Sequence, residues 1–506
     1  MRIPVWLLVG LWLGNLLPAL DATLIGTALP TVVGNLNGLS LYSWVFTGYL
    51  LSFTISVPVF GKLADIYGRK PIFFTGTAVY LASSALSGLS QNIEQLILFR
   101  ALAGLGLGAV LPTAITIVGD AFTLEQRAKI QWVFASSWFF SSLVGPTISS
   151  FVVINLSWRL AFYLVFPMAL GSLFLLSKHY KESIERRRVK VDFLGAVLLG
   201  VGMVCFLLAV SFTKGELQSR VGTLALLSGL ALLFLGLFVW NERKVSEPIL
   251  PAGLLLTPLV GASVLANLLS GAVQFGATSF LPLFVQGAQG GTAANAGAVL
   301  APLTVGWPIA AGLGGRILLR IGFRNLALIG MGLVVLSQVG FVMLNQGTPQ
   351  IFSMMFMAIL GLGFGFSTIA FTISVQEVVS WNQRGSATAS LQFSRSVGGS
   401  LGVGIMGAIL AFRMEPLLAS QGQGGSVASA LLDSRARAGL PPETLVILQS
   451  SLAETIHLIF ILMAIAAVIG LACTLIFPRG KLKVRSAAET TALREAAAPV
   501  RATSAN

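Results

Sequence analysis

The chain has 506 residues, of which 55% are hydrophobic and only 10% charged, with a mean hydropathy of +0.87. Soluble domains carry about a quarter charged residues, so this composition excludes a water-soluble globular protein and leaves no segment for a separate soluble domain. The formal net charge of +14 fits bases gathered in alternate short loops of a polytopic membrane protein better than it fits a nucleic-acid partner.

The N-terminus imitates a signal peptide. Its apolar run continues to Pro30 without a small-x-small cleavage site, however, and reads as a retained first helix. Counting apolar stretches in chain order predicts fourteen membrane-spanning helices, at 5–33, 42–63, 71–90, 95–121, 130–154, 160–177, 194–213, 221–240, 259–285, 293–318, 325–344, 350–378, 386–411 and 454–477. Pro18, Pro58, Pro112, Pro146, Pro282, Pro302 and Pro308 fall inside them, where neighbouring helices can satisfy the freed carbonyls. By count about 24 of the 32 Lys and Arg lie on the face shared by both termini and about 5 on the other, which predicts cytoplasmic termini. The longest non-spanning connection, 414–453, is rich in Gly, Ser and Gln and is expected outside as a loop. The tail 479–506 is polar and Ala-rich and is expected to be disordered.

Two loops repeat. Gly61-Lys62-Leu63-Ala64-Asp65-Ile66-Tyr67-Gly68-Arg69-Lys70 has the outline of Gly315-Arg316-Ile317-Leu318-Leu319-Arg320-Ile321-Gly322-Phe323-Arg324, 254 positions later. Each has two glycines seven apart, a base after the first and a base at the end. A second pair, Arg100-x3-Gly104-x-Gly106-x-Gly108 and Met357-x3-Gly361-x-Gly363-x-Gly365, lies 257 apart. At that offset Asp120 falls on Glu377, Arg127 on Arg384 and Gly145 on Gly402. An acid, a base and several glycines in one register indicate an internal duplication. Spans one to six then pair with spans nine to fourteen. The expected domains are a six-helix bundle over 1–180, a linker with two inserted spans over 181–257, and a second six-helix bundle over 258–478.

With these motifs in place the chain resembles the major facilitator superfamily, and within it the fourteen-helix branch of drug:proton antiporters. Gly61–Lys70 resembles the superfamily's signature G-x-L-x-D-x-x-G-R-[RK]. Asp21-Ala22-Thr23 through Ala28-Leu29-Pro30 resembles the first-helix motif, and Arg100 with Gly104 and Gly108 resembles the fourth-helix one. Gly145-Pro146 resembles the fifth-helix antiporter motif, with Ser141, Ser149 and Ser150 where glycines are usual. The resemblance implies an all-α fold of two six-helix bundles, plus two extra helices, rocking about a central cavity. It also implies that Asp65, Arg69, Asp120 and Arg127 form a cytoplasmic gating cluster.

Among candidate residues Asp21 stands out, because a carboxylate near the bilayer centre costs about 2.5–3.5 kcal/mol and is rarely idle. A cavity that alternately wets and dries changes its proton affinity. A structural aspartate capping a helix break near Pro18 is the alternative. Arg100 is expected either to pair with Asp21 or to snorkel to the outer interface. Arg395 lies inside span thirteen and needs a partner or water. Gln274, Phe275, Phe364, Phe371 and Gln392, with Arg395, are the candidate substrate-cavity residues, although ordinary packing explains each phenylalanine as well.

No phosphate-binding glycine loop with lysine is present, and two histidines, His179 and His457, are too few for haem or a di-metal centre. Cys205 and Cys473 sit in apolar runs as small packing residues. An enzyme, a metal site and a cofactor are therefore not expected. The expected protein is a monomeric exporter of small lipophilic or cationic compounds, driven by the proton gradient across a bacterial inner membrane. An exporter of a native lipid or metabolite and a non-transporting membrane sensor are the alternatives.

Overall fold

The computed structural model describes residues 5–121, 124–180, 182, 192–211, 217–245, 257–379, 384–420, 437 and 441–477. The expected tail 479–506 lies outside the described residues, as does most of the 181–257 linker that is not helical.

Among the described residues fourteen helices longer than a single turn carry the chain. They are α1 Val5–Asn35, α2 Tyr42–Tyr67, α3 Arg69–Leu89, α4 Ile93–Ala121, α5 Leu124–Asn155, α6 Phe166–His179, α7 Phe193–Ser211, α8 Leu217–Glu242, α9 Pro258–Leu283, α10 Ala293–Ile321, α11 Phe323–Val342, α12 Gln350–Val378, α13 Arg384–Ser420 and α14 Pro442–Thr474. The single turn Trp158–Ala161 enters α6, and a π turn, Phe284–Ala288, ends α9. Among the described residues thirteen spans are long and apolar enough to cross a membrane, and α7 supplies a shorter apolar helix, Phe193–Ala209. The expected loop at 414–453 is narrower than its sequence suggests, because α13 runs on to Ser420 and α14 begins at Pro442.

Packing repeats the duplication. In the first half α2 and α3 flank α4, and α1 lies on α5 and α6; in the second α10 and α11 flank α12, and α9 lies on α13 and α14. The glycine triads explain the register, since small residues let helix backbones approach closely. A Cβ on Gly104 would stand 2.3 Å from the Tyr49 carbonyl oxygen of α2, and one on Gly361 would stand 2.4 Å from that of Leu303 in α10. One on Gly106 would stand 2.7 Å from the Gly76 carbonyl oxygen of α3, and one on Gly363 would stand 2.8 Å from that of Gly330 in α11. Each glycine of one triad thus meets the partner that the 254-residue offset predicts for the other.

The halves meet through exchanged pairs. α2 lies against α13 and α5 against α10, while α1 reaches both α9 and α10. Described hydrogen bonds between halves gather at the end where α1 finishes and α2 begins. There the Tyr42 hydroxyl donates to the Ser279 carbonyl (2.8 Å), Gln286 Nε2 to Thr31 Oγ1 (2.8 Å) and Ser150 Oγ to the Ala293 carbonyl (3.2 Å). The inserted α7 packs on both α2 and α13 and so straddles that seam.

The repeated loops sit at the other end, which we call the basic end. Gly68 and Gly322 have φ of +101° and +82°, a left-handed region that favours glycine. Each makes the tight turn that starts α3 or α11. The base two residues later has the same task in both copies. Lys70 Nζ donates to the carbonyls of Ser177 (2.9 Å) and Tyr180 (3.0 Å) at the end of α6, and Arg324 Nη2 to that of Leu475 (3.3 Å) at the end of α14. A cation there meets the negative end of a helix dipole and its unsatisfied carbonyls.

Candidate functional site

Helix α1 is buried almost throughout, so its polar residues need partners from the helices around it. Asn15 and Thr23 turn toward α5. Asn15 Nδ2 donates to Ser137 Oγ (2.6 Å), and the Thr23 and Ser141 hydroxyls lie 2.7 Å apart. Asp21 turns the other way.

Asp21 is 2% exposed and is held by two helices. Arg100 of α4 clamps it bidentately, Nη1 to Oδ1 at 2.8 Å and Nη2 to Oδ2 at 2.6 Å. The Tyr80 hydroxyl of α3 donates to Oδ1 at 3.1 Å. The guanidinium stands 4.6 Å over the ring of Tyr49 from α2, a cation–π contact strengthened by loss of water. The geometry follows from the glycine triad. Gly104 brings α2 against α4 at Tyr49, and Gly106 brings α3 close at Tyr80. Arg100 therefore pairs with Asp21 rather than snorkelling to an interface, and Asp21 spends its oxygens on side chains rather than on a helix cap near Pro18.

The second half builds a different cluster around Arg395 of α13, which is 7% exposed. Its Nη2 donates to Asn267 Oδ1 (2.9 Å) and Thr368 Oγ1 (2.8 Å), its Nε to Asn267 Oδ1 (3.3 Å), and it stands 5.0 Å over the Trp307 ring. Asn267 Nδ2 donates to the Leu391 carbonyl (2.7 Å), which fixes the amide with its oxygen toward the guanidinium. Close crossing of α9 and α13 sets the depth: a Cβ on Gly271 would stand 2.0 Å from the Arg395 carbonyl oxygen. Among the described residues no carboxylate reaches Arg395.

Of the other expected cavity residues, Phe364 meets Trp307 in a tilted ring pair, centroids 5.4 Å apart, beside this cluster. Gln274 is half-buried, with an unpartnered Oε1, and Phe275 packs on the first-half core. Phe371 instead packs against Phe477 at 5.8 Å, and the Gln392 side chain is exposed. Neither joins the Arg395 cluster, because each turns to a different side of its helix.

Gly145 and Pro146 lie where α1, α5 and α10 converge. A Cβ on Gly145 would stand 2.2 Å from Thr23 Oγ1, and one on Gly297 of α10 would stand 2.8 Å from the Pro146 Cβ. The serines standing for glycines are used: Ser149 Oγ donates to the Leu24 carbonyl (2.8 Å) and Ser150 Oγ across to α10.

In the loop motif a Cβ on Gly61 would meet no neighbour, as at Gly315. Glu182, which no motif singled out, accepts from the backbone N–H groups of Arg69 and Lys70 at the start of α3. It places a carboxylate at the positive end of that helix. The side chains of Asp65, Asp120 and Arg127 lie outside the described residues. Tyr49, Tyr80, Asn267, Trp307 and Thr368 are further residues that sequence reasoning missed. The one usable signal was a polar group inside an apolar span, strongest at Asn267.

Residues 11–403 match the Major Facilitator Superfamily. The chain belongs to that family. It is 32% identical over 502 residues to Multidrug resistance protein 3 of Bacillus subtilis (strain 168), covering 96% of this chain and 97% of the relative. It is 34% identical over 412 residues to Multidrug transporter protein MdtP of the same organism, covering 81% and 76%. Among solved structures it resembles a bacterial homologue of the human lysosomal transporter Spinster in an inward-facing and occupied conformation, with a TM-score of 0.65, 17% identity, and 94% and 97% of the two chains covered. That likeness speaks for the fold. These proteins are transporters rather than enzymes, and the chain is a multi-pass membrane transporter of this superfamily.

Proposed function

We propose that the chain is a proton-coupled antiporter of the fourteen-helix drug:proton branch, exporting lipophilic or cationic drugs from a bacterial cell across its inner membrane, with both termini cytoplasmic. The buried Asp21–Arg100–Tyr80 cluster carries the reading. A carboxylate at this depth can load and release a proton only if its surroundings change, and α1, which bears it, is the helix that also touches α9 and α10. Protonation of Asp21 removes the charge from the bidentate pair and weakens the α1–α4 clamp. A shift of α1 would then pass to the second half. Deprotonation on the other side restores the clamp. In this reading protons and a small molecule exchange by alternating access, no cofactor is used, and the transporter works as a monomer. The two multidrug relatives support the choice of substrate class.

The test is substrate-driven proton movement in proteoliposomes, read with an internal pH dye and ethidium as substrate. Wild-type protein is expected to couple the two fluxes, and Asp21→Asn to lose proton movement while still reaching the membrane. Absence of any pH change with ethidium or other cationic dyes, together with equal dye accumulation in cells carrying Asp21→Asn, would sink the antiport reading.

A further inference from the structure

The two buried arginines do not balance. Asp21 and Arg100 cancel each other through a bidentate contact, so the only uncompensated charge in the two clusters is the guanidinium of Arg395. Its contacts are all to neutral groups: an amide oxygen, a hydroxyl and an indole face. Those contacts use Nε and Nη2 and leave Nη1 without a hydrogen-bond partner among the described residues. Nη1 is also absent from the polar atoms sealed off from solvent, whereas the Gln274 Oε1 is sealed and unpartnered. A guanidinium anchored through Nε and Nη2 by Asn267 and Thr368 keeps the two N–H groups of Nη1 to offer to an anion, a charge-assisted contact.

The surroundings suit an amphiphile. Trp307 and Phe364 form an aromatic pair beside the cation. Gln274 lies seven residues beyond Asn267 on α9, on the same helix face and about 10 Å along it, where its Nε2, unlike the sealed Oε1, can meet a second polar group. A cationic substrate placed here would face like charge with no acid among the described residues to offset it, and like charges repel strongly where the dielectric is low.

Resting on the exporter reading above, we propose that Arg395 is a substrate-binding group for lipophilic anions, and that the transported compounds include amphiphiles bearing a sulfonate or carboxylate. Asn267 is its positioning residue, with Thr368 as a second anchor.

Two probes that share a ring system and differ by one sulfonate decide this: 8-anilinonaphthalene-1-sulfonate and N-phenyl-1-naphthylamine. Each is titrated by fluorescence into the full chain in lipid nanodiscs, with empty nanodiscs subtracted. Wild-type protein is expected to bind the sulfonate more tightly than the amine. Arg395→Gln should weaken the sulfonate tenfold or more and the amine less than threefold. Arg395→Lys, which keeps the charge and N–H donors, should retain most of the sulfonate affinity and serves if the glutamine variant does not fold. A wild-type chain that prefers the amine, or a folded Arg395→Gln chain whose two affinities are unchanged or fall together, overturns the anion site. Proton movement with ethidium in wild-type proteoliposomes separates the two readings. If it is present and sulfonate selectivity is absent, only the anion site fails; if neither is found, the exporter reading fails with it.

Discussion

Each half of the molecule buries one arginine against an aromatic ring, but the halves treat that arginine differently. In the first half Arg100 comes from the fourth helix, stacks on Tyr49 and is neutralised by Asp21. In the second the matching position is Met357, fully buried among apolar side chains, and the cation arrives instead on α13 as Arg395, stacked on Trp307 and held by an amide and a hydroxyl. The glycine triads under both clusters keep the same register. The duplication therefore preserved the helix contacts while the chemistry placed on them diverged. Backbone packing tolerates few alternatives once helices touch through glycine, whereas a side chain beside that contact is free to change if its charge finds a partner.

The comparison is broken most directly at the first cluster. Arg100→Ala leaves Asp21 buried without its cation, and loss of one partner from a buried pair costs about 3–5 kcal/mol. Thermal melting of the purified protein in detergent should fall accordingly, and Asp21→Leu/Arg100→Leu should recover part of the loss. No recovery would mean that the pair is not an isolated unit. Arg395→Gln gives up hydrogen bonds to neutral groups only, worth about 1–3 kcal/mol. If its melting falls as far as that of Arg100→Ala, a charge partner exists that the described residues do not contain. Gly361→Ala and Gly104→Ala force a methyl into helix backbone and should each cost about 1–3 kcal/mol. Equal losses sharpen the equivalence of the triads, and a loss in one half only contradicts it. Lys70→Met and Arg324→Met remove matched contacts to the ends of α6 and α14 and should cost about 0.3–1 kcal/mol each. A transport defect much larger than the stability change at Lys70 alone would assign the first loop a role that the second lacks.

Much of this plan was legible in the chain itself. The helices, the pairing of the halves and the placing of Asp21 and Arg395 inside spans follow from the length of apolar runs and from spacing, whereas Arg100 stays between a partner and the interface. Those are local properties: a backbone in hydrocarbon must satisfy its own hydrogen bonds, so an apolar run of sufficient length becomes a helix whatever its neighbours are. The glycine triads and the repeated loops were readable for the same reason. The boundary of α14, which begins at Pro442, was not, because its first turns are too polar to count as span and become helical through continuity with the apolar stretch beyond them.

Which side chains meet depends on packing between helices. Asp21 and Arg100 are 79 residues apart and Arg395 and Asn267 are 128 apart, and no spacing rule links them. The choice depends on how far each helix is rotated and how deep it sits, and both are set by close contacts such as Gly104 on Tyr49 and Gly271 on Arg395. The same dependence placed Glu182 at the start of α3 and turned Phe371 into core. Sequence alone determined that charge is buried in both halves. Which of those charges is neutralised, and which is left to meet something else, was settled by helix packing, because a polar group in a dry interior takes whatever partner the neighbouring backbone brings within reach.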